Sequence, residues 1–276
     1  MTSPHAAKTL VLIAAVAATL ASCNRKAEEE AAAPVAIPAA PTAGATAAST
    51  LAYESKNAFA SVKLTLPEAL KSQPELHKSL YDGSVAELKT FVEGAQADRT
   101  EAGGDGGMPP YEKVVEYEGA VDTGKLFGLL GDAYEYTGGA HGNPSYMAVL
   151  WDKALKRRID LNAILKPGAE RAALDRMLCA ALNVEKRKRD PQAVLLTLNG
   201  ADWKCPRLSE TVVGLAPSTT PGKAGGLTVQ IGPYVAGPYA EGGYQIDLPQ
   251  SALRPYLNPA YADEFAGAPA KRPDKA

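Results

Sequence analysis

Histidine is scarce in this sequence, with three in 276 residues. His5 lies in a segment that we expect to be removed, so the mature chain keeps His77 and His141. Two histidines exclude a zinc site of three histidines and disfavour a histidine-rich site with two metals. We therefore expect neither a metal nor a cofactor.

Several other features of enzymes and nucleic-acid-binding proteins are absent from the sequence. It has no G-x-x-x-x-G-K-[ST] phosphate loop, no H-E-x-x-H zinc motif and no G-x-S-x-G nucleophile motif. Lys and Arg together number 29 and Asp and Glu 31, so no basic excess favours nucleic acid as a partner. We expect no nucleic-acid partner.

Long apolar runs are also missing, and the longest, residues 10–20, is too short to cross a bilayer. It is typical of the apolar region of a secretory signal. Leu20-Ala21-Ser22-Cys23 then matches a bacterial lipobox, which predicts a signal peptide over 1–22 and a lipid-modified, palmitate-bearing Cys23. Asn24, by resemblance to Gram-negative sorting rules, favours the periplasmic face of the outer membrane. The alternative is an ordinary signal peptide with a nearby cysteine.

The lipidated cysteine opens a segment, 23–50, that is rich in alanine and proline and has no aromatic residue. Such a segment cannot bury enough apolar area to offset the entropy of ordering it, so we predict a disordered tether. We also predict a disordered tail over 259–276.

The remaining chain predicts an α+β fold with antiparallel sheets and a few packed helices. Period-two alternation over 58–66 indicates a half-buried strand, and further short strands follow within 111–159 and 211–248. Helices are predicted over 74–97, where Asp82-Gly83 can break the helix, and over 168–190. We predict two successive domains, 51–166 and 167–258.

The run Lys186–Arg189 is interpreted as a solvated last helical turn that complements the helix dipole, with a patch for an anionic partner as the alternative.

Cys179 and Cys205 remain after the anchor cysteine is set aside. Two thiols in an exported chain most simply form one disulfide. A buried free pair and a redox-active pair are the alternatives.

Two motifs resemble a known family. Residues 136–142 read Y-T-G-G-A-H-G, and residues 232–242 read G-P-Y-V-A-G-P-Y-A-E-G before a strand that ends at Pro249. They are similar to the paired domains of unknown function DUF4163 and DUF3298, which form RsiV-like extracytoplasmic modules. The resemblance covers roughly residues 51–257. It implies an envelope-binding module without established chemistry, and it carries over no sigma-factor control because no sigma-binding segment, transmembrane helix or deacetylase domain is recognised.

The motifs define a candidate binding rim. Its members are aromatic residues, a histidine and glycines: Tyr136, Gly138, Gly139, His141, Tyr146, Tyr234 and Tyr239. The glycines permit positive φ angles and a close approach of backbone to a ligand. The plainer interpretation is a structural turn in which His141 bonds to backbone, with the tyrosines serving as packing. Catalysis by His141 would need a positioned partner, and no recognised spacing supplies one.

The sequence thus favours a non-catalytic envelope lipoprotein, anchored in the membrane by lipid, that binds peptidoglycan or a secreted or envelope protein such as lysozyme. One alternative is an envelope polysaccharide hydrolase or deacetylase-associated enzyme that uses His141. The other is a structural docking factor. Whether the protein is an enzyme stays open, with the balance against it.

Overall fold

The computed structural model describes residues 50–103 and 109–272. The predicted signal peptide, Cys23 and the tether up to residue 49 lie outside the described residues. Within the described ranges, no helix is both long enough and apolar enough to cross a membrane.

A six-stranded sheet forms the first half of the fold, with its strands in sequential order. The strands are β1 (Ala52–Lys56), β2 (Ala60–Thr65), β3 (Tyr111–Asp122), β4 (Leu126–Tyr136), β5 (Asn143–Asp152) and β6 (Arg157–Ile159). All neighbours are antiparallel except β2 and β3, which are parallel. Helix α1 (Pro74–Glu101) separates these two strands, and a parallel pair needs such a crossover. The sheet is therefore mixed, where the sequence predicted antiparallel pairing.

Helix α1 runs without a break through Gly83. Leu80 and Leu88, on either side of this glycine, are both buried. A glycine inside a helix costs only about 1 kcal/mol, so packing on both sides keeps the helix continuous. The expected break at Asp82-Gly83 is wrong.

A three-stranded antiparallel sheet forms the second half, in the order β7 (Val212–Pro217), β8 (Ala224–Ile231) and β9 (Tyr244–Pro249). Three helices accompany it: α2 (Leu161–Ile164), α3 (Arg171–Arg189) and α4 (Gln250–Leu253). Asp160 caps α2 by accepting a hydrogen bond from the Ala163 amide at 3.1 Å. Helix α3 packs against β9.

The two sheets meet where β7 lies against β3, β4 and β5, and glycines allow close approaches there. A Cβ at Gly128 of β4 would lie 3.1 Å from the side chain of Leu215 on β7. Strand β4 is buried on both faces: Leu126 joins the core of the small sheet, while Phe127 and Leu129 join the core beneath α1. The α+β fold is confirmed, and the predicted domain division at residue 167 stays a prediction.

The predicted disorder of 259–276 is wrong for residues 259–272. This segment contains a short 3₁₀ helix, Ala262–Glu264, and a buried Phe265. Phe265 and Pro269 each form a bridge to the second sheet region, at Ala224 and Ser218. The Ala, Pro and Gly residues that follow Phe265 suggested a tail, but its aromatic side chain supplies the apolar area that orders the segment.

Cys179 and Cys205 form a disulfide, with Cα atoms 5.2 Å apart. The bond joins α3 to the segment that precedes β7. Both residues are buried in the core of the small sheet. The predicted pairing is confirmed, and the buried free pair does not describe these cysteines.

Candidate functional site

The first motif is the turn between β4 and β5. Gly138 and Gly139 have φ angles of +98° and +96°, a region that side chains with a Cβ rarely adopt. The hydroxyl of Tyr136 donates a hydrogen bond to the Gly139 carbonyl at 3.2 Å. The glycines therefore allow the chain to reverse, as the sequence predicted, and Tyr136 holds the turn from its own side.

The second motif is the loop between β8 and β9, residues 232–243. It contains a short 3₁₀ helix, Tyr239–Glu241. Tyr234 has a φ angle of +64°, which is uncommon for a residue other than glycine. The backbone thus holds this tyrosine in an unfavourable conformation, and 56% of its surface is exposed.

The two motifs meet in an aromatic cluster of His141, Tyr234 and Tyr239. The rings of His141 and Tyr239 stack with centroids 3.8 Å apart and an interplanar angle of 19°. Tyr234 lies at 5.4 Å from Tyr239 and 6.5 Å from His141, measured between ring centroids. The hydroxyl of Tyr239 donates to the carbonyl of Gly142 at 2.7 Å, which joins the loops directly. Residues about a hundred positions apart thus form one surface feature.

The remaining predicted rim residues lie outside the three rings of this cluster, in the turn and in strand β5. Tyr146 of β5 lies against Gly243, where any Cβ would collide with the tyrosine hydroxyl. Gly142 lies equally close to the ring of Tyr134. Tyr136, Gly138 and Gly139 shape the turn without entering the cluster. Binding by any of these residues stays a prediction.

His141 has the contacts of a packed ring. Its Nδ1 lies 3.0 Å from the Gly142 carbonyl, and Tyr239 covers one face. The carbonyl can fix the orientation of the ring, but among the described residues no carboxylate is bonded to His141 to stabilise its protonated form. Within residues 50–103 and 109–272, no group of three or more His, Cys, Asp or Glu residues is placed to hold a metal ion.

A buried lysine holds the second loop in place. Lys186, in the last turn of α3, is only 5% exposed and donates to the Ala236 carbonyl at 2.9 Å. It also forms an ion pair with Glu241, which accepts a further hydrogen bond from the hydroxyl of Tyr244. We call Lys186, Glu241 and Tyr244 the loop latch.

Arg189 adds to the loop latch from the same turn of α3. It donates to the carbonyls of Glu241 and Gly243 at 2.9 and 2.7 Å. Its guanidinium lies over the ring of Tyr244, 3.9 Å from the centroid. The interpretation of 186–189 as a wholly solvated turn is therefore wrong for Lys186 and incomplete for Arg189.

The latch shifts the ionisation of both its acidic groups. Partial burial opposes the charge on Glu241, but the hydrogen bonds from Lys186 and Tyr244 outweigh this effect and lower the pKa of its carboxyl. Burial and the hydrogen bond to Glu241 raise the pKa of Tyr244 to about 12. Glu241 is therefore charged and Tyr244 neutral near neutral pH.

A signal for Lys186 was present in the sequence. Leu174, Leu178 and Leu182 are buried at a spacing of four, and Lys186 is the next member of that row. A lysine on a buried row needs a partner, because an unpaired buried charge is costly. That partner, Glu241, is 55 residues away, so its identity could not be read from local sequence.

Comparison with known proteins bears on the fold. No family model matches the sequence, and no curated protein is significantly similar to it. A DUF3298 family protein from Pseudomonas aeruginosa PAO1 is 18% identical, with a TM-score of 0.51 over 78% of this chain and 94% of that one. This chain has a DUF3298-like fold.

A member of the DUF3298 family from Bacteroides fragilis NCTC 9343 is 19% identical, with a TM-score of 0.49 over 74% of this chain and 87% of that one. At 18% identity, the DUF3298-like fold assignment rests on shape alone. The pairing with DUF4163 and the RsiV-like assignment stay predictions.

Proposed function

We propose that this chain is a non-catalytic lipoprotein of the bacterial envelope that binds peptidoglycan through the aromatic cluster. The lipobox at Cys23 supports a lipid anchor on the periplasmic face of the outer membrane. The Ala/Pro-rich segment after it supports a tether that holds the folded part of the chain away from the lipid. The DUF3298-like fold supports an extracytoplasmic module.

The observation that carries the binding role is the convergence of the two motifs on one exposed cluster. Aromatic rings in fixed positions contribute contact area at little cost in conformational entropy. Tyr239 is fixed by its bond to Gly142, and His141 by its stacking on Tyr239. Tyr234 then presents an exposed ring beside this stacked pair.

The contacts of His141 support a role without catalysis. The ring is stacked on Tyr239 with its Nδ1 against a backbone carbonyl, and among the described residues no carboxylate is bonded to it as a partner for acid–base chemistry. Enzymatic hydrolysis or deacetylation of the wall is therefore not part of this proposal.

Co-sedimentation with purified sacculi tests the proposal. The mature chain without its lipidated cysteine, residues 24–276, is pelleted with sacculi at low and moderate salt. We expect pelleting of the wild type that survives moderate salt, and a loss of about fivefold or more in affinity for Tyr234→Ala and His141→Ala, which corresponds to about 1 kcal/mol per aromatic contact.

Leu155→Ala serves as the control, because Leu155 is an exposed apolar side chain on a different turn. Its pelleting should match the wild type. Unchanged pelleting of both cluster variants would refute the cluster as the binding surface. Failure of the wild type to pellet would refute a peptidoglycan ligand and make a lysozyme-like protein the next partner to test.

A further inference from the structure

An open groove of about 760 Å³ lies beside the loop latch and apart from the aromatic cluster. Its walls are the last turn of α3, the extended segment 193–197, residues 200–203, and residues 236–241 of the β8–β9 loop. None of the three rings of the aromatic cluster lines it. The groove and the cluster therefore have different lining side chains, although Gly237 and Ala240 of the groove flank Tyr239 in the chain.

The charges in the groove disfavour an anionic ligand. Lys186 is neutralised by Glu241, and Arg189 is bound to two carbonyls and the ring of Tyr244. Asp190 and Asp202 remain as exposed carboxylates on the groove wall. Asp190 already accepts a hydrogen bond from the Gln192 amide at 2.8 Å, and the remaining carboxylate oxygens can accept hydrogen bonds from the hydroxyl groups of a ligand.

The extended segment offers backbone groups for a ligand to bind. Among the described residues, no hydrogen bond joins the N–H or C=O groups of Val194 and Leu195 to another group. By contrast, the neighbouring Leu196 amide donates to Asn183 at 2.8 Å. The side chains of Val194 and Leu195 are 84% and 41% exposed. Unpaired amides beside aliphatic side chains match an acetamido group, which has one donor, one acceptor and a methyl group.

Trp203 completes the groove. It lines the wall with 39% of its surface exposed, next to Asp202. An indole face can pack against the apolar C–H face of a sugar ring, while neighbouring carboxylates accept hydrogen bonds from the hydroxyls at the ring edge.

From these features together, we propose that the groove binds an oligosaccharide of N-acetylated amino sugars, with Trp203 as the stacking platform. This proposal deepens the proposed function, since peptidoglycan glycan strands belong to that chemical class. It also rests on that function for its biological meaning. The groove itself can be tested with a defined ligand and without sacculi.

The test is calorimetric titration of residues 24–276 with chitotetraose, a tetramer of β-1,4-linked N-acetylglucosamine. Cellotetraose, which has the same linkage and no acetamido groups, is the matched ligand control. We expect binding of chitotetraose only, accompanied by a change in tryptophan fluorescence. Trp151 is buried in the large sheet, so the change reports on Trp203.

Variants locate the site. Trp203→Ala should weaken chitotetraose binding by about tenfold or more, while Tyr234→Ala should leave it within about twofold of the wild type. Trp203→Phe, which keeps a flat ring, should bind more tightly than Trp203→Ala. Circular dichroism and a thermal melt of each variant establish that it is folded.

The proposal would be overturned by no binding of chitotetraose, by equal binding of cellotetraose, or by binding that Trp203→Ala leaves unchanged. Binding of a stem peptide in place of the sugar would also overturn it. Sacculus pelleting that persists without chitotetraose binding would reject the groove and leave the aromatic cluster standing. If chitotetraose binds and Tyr234→Ala does not change binding to sacculi, the aromatic cluster is rejected and the groove remains as the binding site.

Discussion

Tyr234 combines a positive φ angle with an exposed aromatic ring. Its φ angle of +64° costs an L residue about 1–2 kcal/mol, because Cβ approaches the following carbonyl oxygen. More than half of its surface is exposed, so burial returns little of that cost. A strained residue that presents an aromatic ring beside a stacked pair is consistent with selection for binding rather than for stability.

This strain can be measured by comparing Tyr234→Gly with Tyr234→Ala. Both variants remove the ring, but only glycine relieves the strain. We expect the glycine variant to be more stable by about 1 kcal/mol, measured by urea unfolding. Both should lose sacculus binding to the same extent. Equal stability of the two variants would contradict the backbone strain.

At the scale of single residues, the sequence predicted those features that depend only on the local backbone conformation. Gly138 and Gly139 were noted as residues that permit positive φ angles, and they adopt them. Tyr234 was singled out for its ring, but its positive φ angle had no local signal. The stacking of His141 on Tyr239 also could not be predicted, because it depends on contacts between two distant loops.

The β8–β9 loop is held by α3 rather than by its own hydrogen bonds alone. Lys186 and Arg189 bind the Ala236, Glu241 and Gly243 carbonyls and the Glu241 carboxylate. The same loop carries Tyr234 and Tyr239 and also lines the groove with Ala236, Gly237, Ala240 and Glu241. The loop latch therefore positions both proposed binding surfaces.

Replacing the buried lysine tests this dependence. Lys186→Met keeps the length of the side chain but leaves Glu241 without its cation, and we expect a loss of about 2–3 kcal/mol in the free energy of unfolding. Lys188→Met is the matched control, since Lys188 is exposed and pairs with Glu185 on its own helix. Its effect should stay below about 0.5 kcal/mol. Similar effects of the two substitutions would show that the latch contributes nothing specific.

The same contact has a defined pH dependence. The pKa of Glu241 is lowered in the folded chain, so its carboxylate stabilises the fold above its ordinary pKa, and this contribution is lost as pH falls through the lowered value. The stability difference between wild type and Glu241→Gln should therefore be constant near neutral pH and shrink below about pH 4.5. Urea unfolding at a series of pH values measures it. A difference that grows on acidification would contradict the assigned shift.

Elements with a local pattern were predicted well, and pairings between distant elements were not. The alternation over 58–66 predicted a strand where the structure has β2, and the helical spacing of apolar residues predicted a helix where it has α3. The parallel pairing of β2 with β3 escaped prediction because strand direction depends on the path of α1 between them. No local periodicity carries that information.

The C-terminal segment connects the two sheets across the whole molecule. Phe265 is buried in the core of the small sheet. Four residues earlier, the Tyr261 hydroxyl donates to Asp152 of β5 at 2.6 Å, a hydrogen bond that, with burial, raises the pKa of Tyr261 to about 12. Glu264 accepts a hydrogen bond at 2.8 Å from the amide of Lys125, the residue just before β4. Composition alone suggested a loose tail, yet these residues contact both halves of the fold.

This arrangement predicts that both sheets unfold together. Phe265→Ala removes a fully buried ring, so we expect a loss of about 3–4 kcal/mol. In a Trp203→Phe background, fluorescence reports on Trp151 of the large sheet, while amide hydrogen exchange follows the strands of both sheets. If the sheets form one cooperative unit, Phe265→Ala lowers the free energy of unfolding reported by Trp151 as much as it lowers the free energy of opening measured by hydrogen exchange in the small sheet. A Trp151 transition that stays in place would instead show that the chain folds as two domains, divided near residue 167.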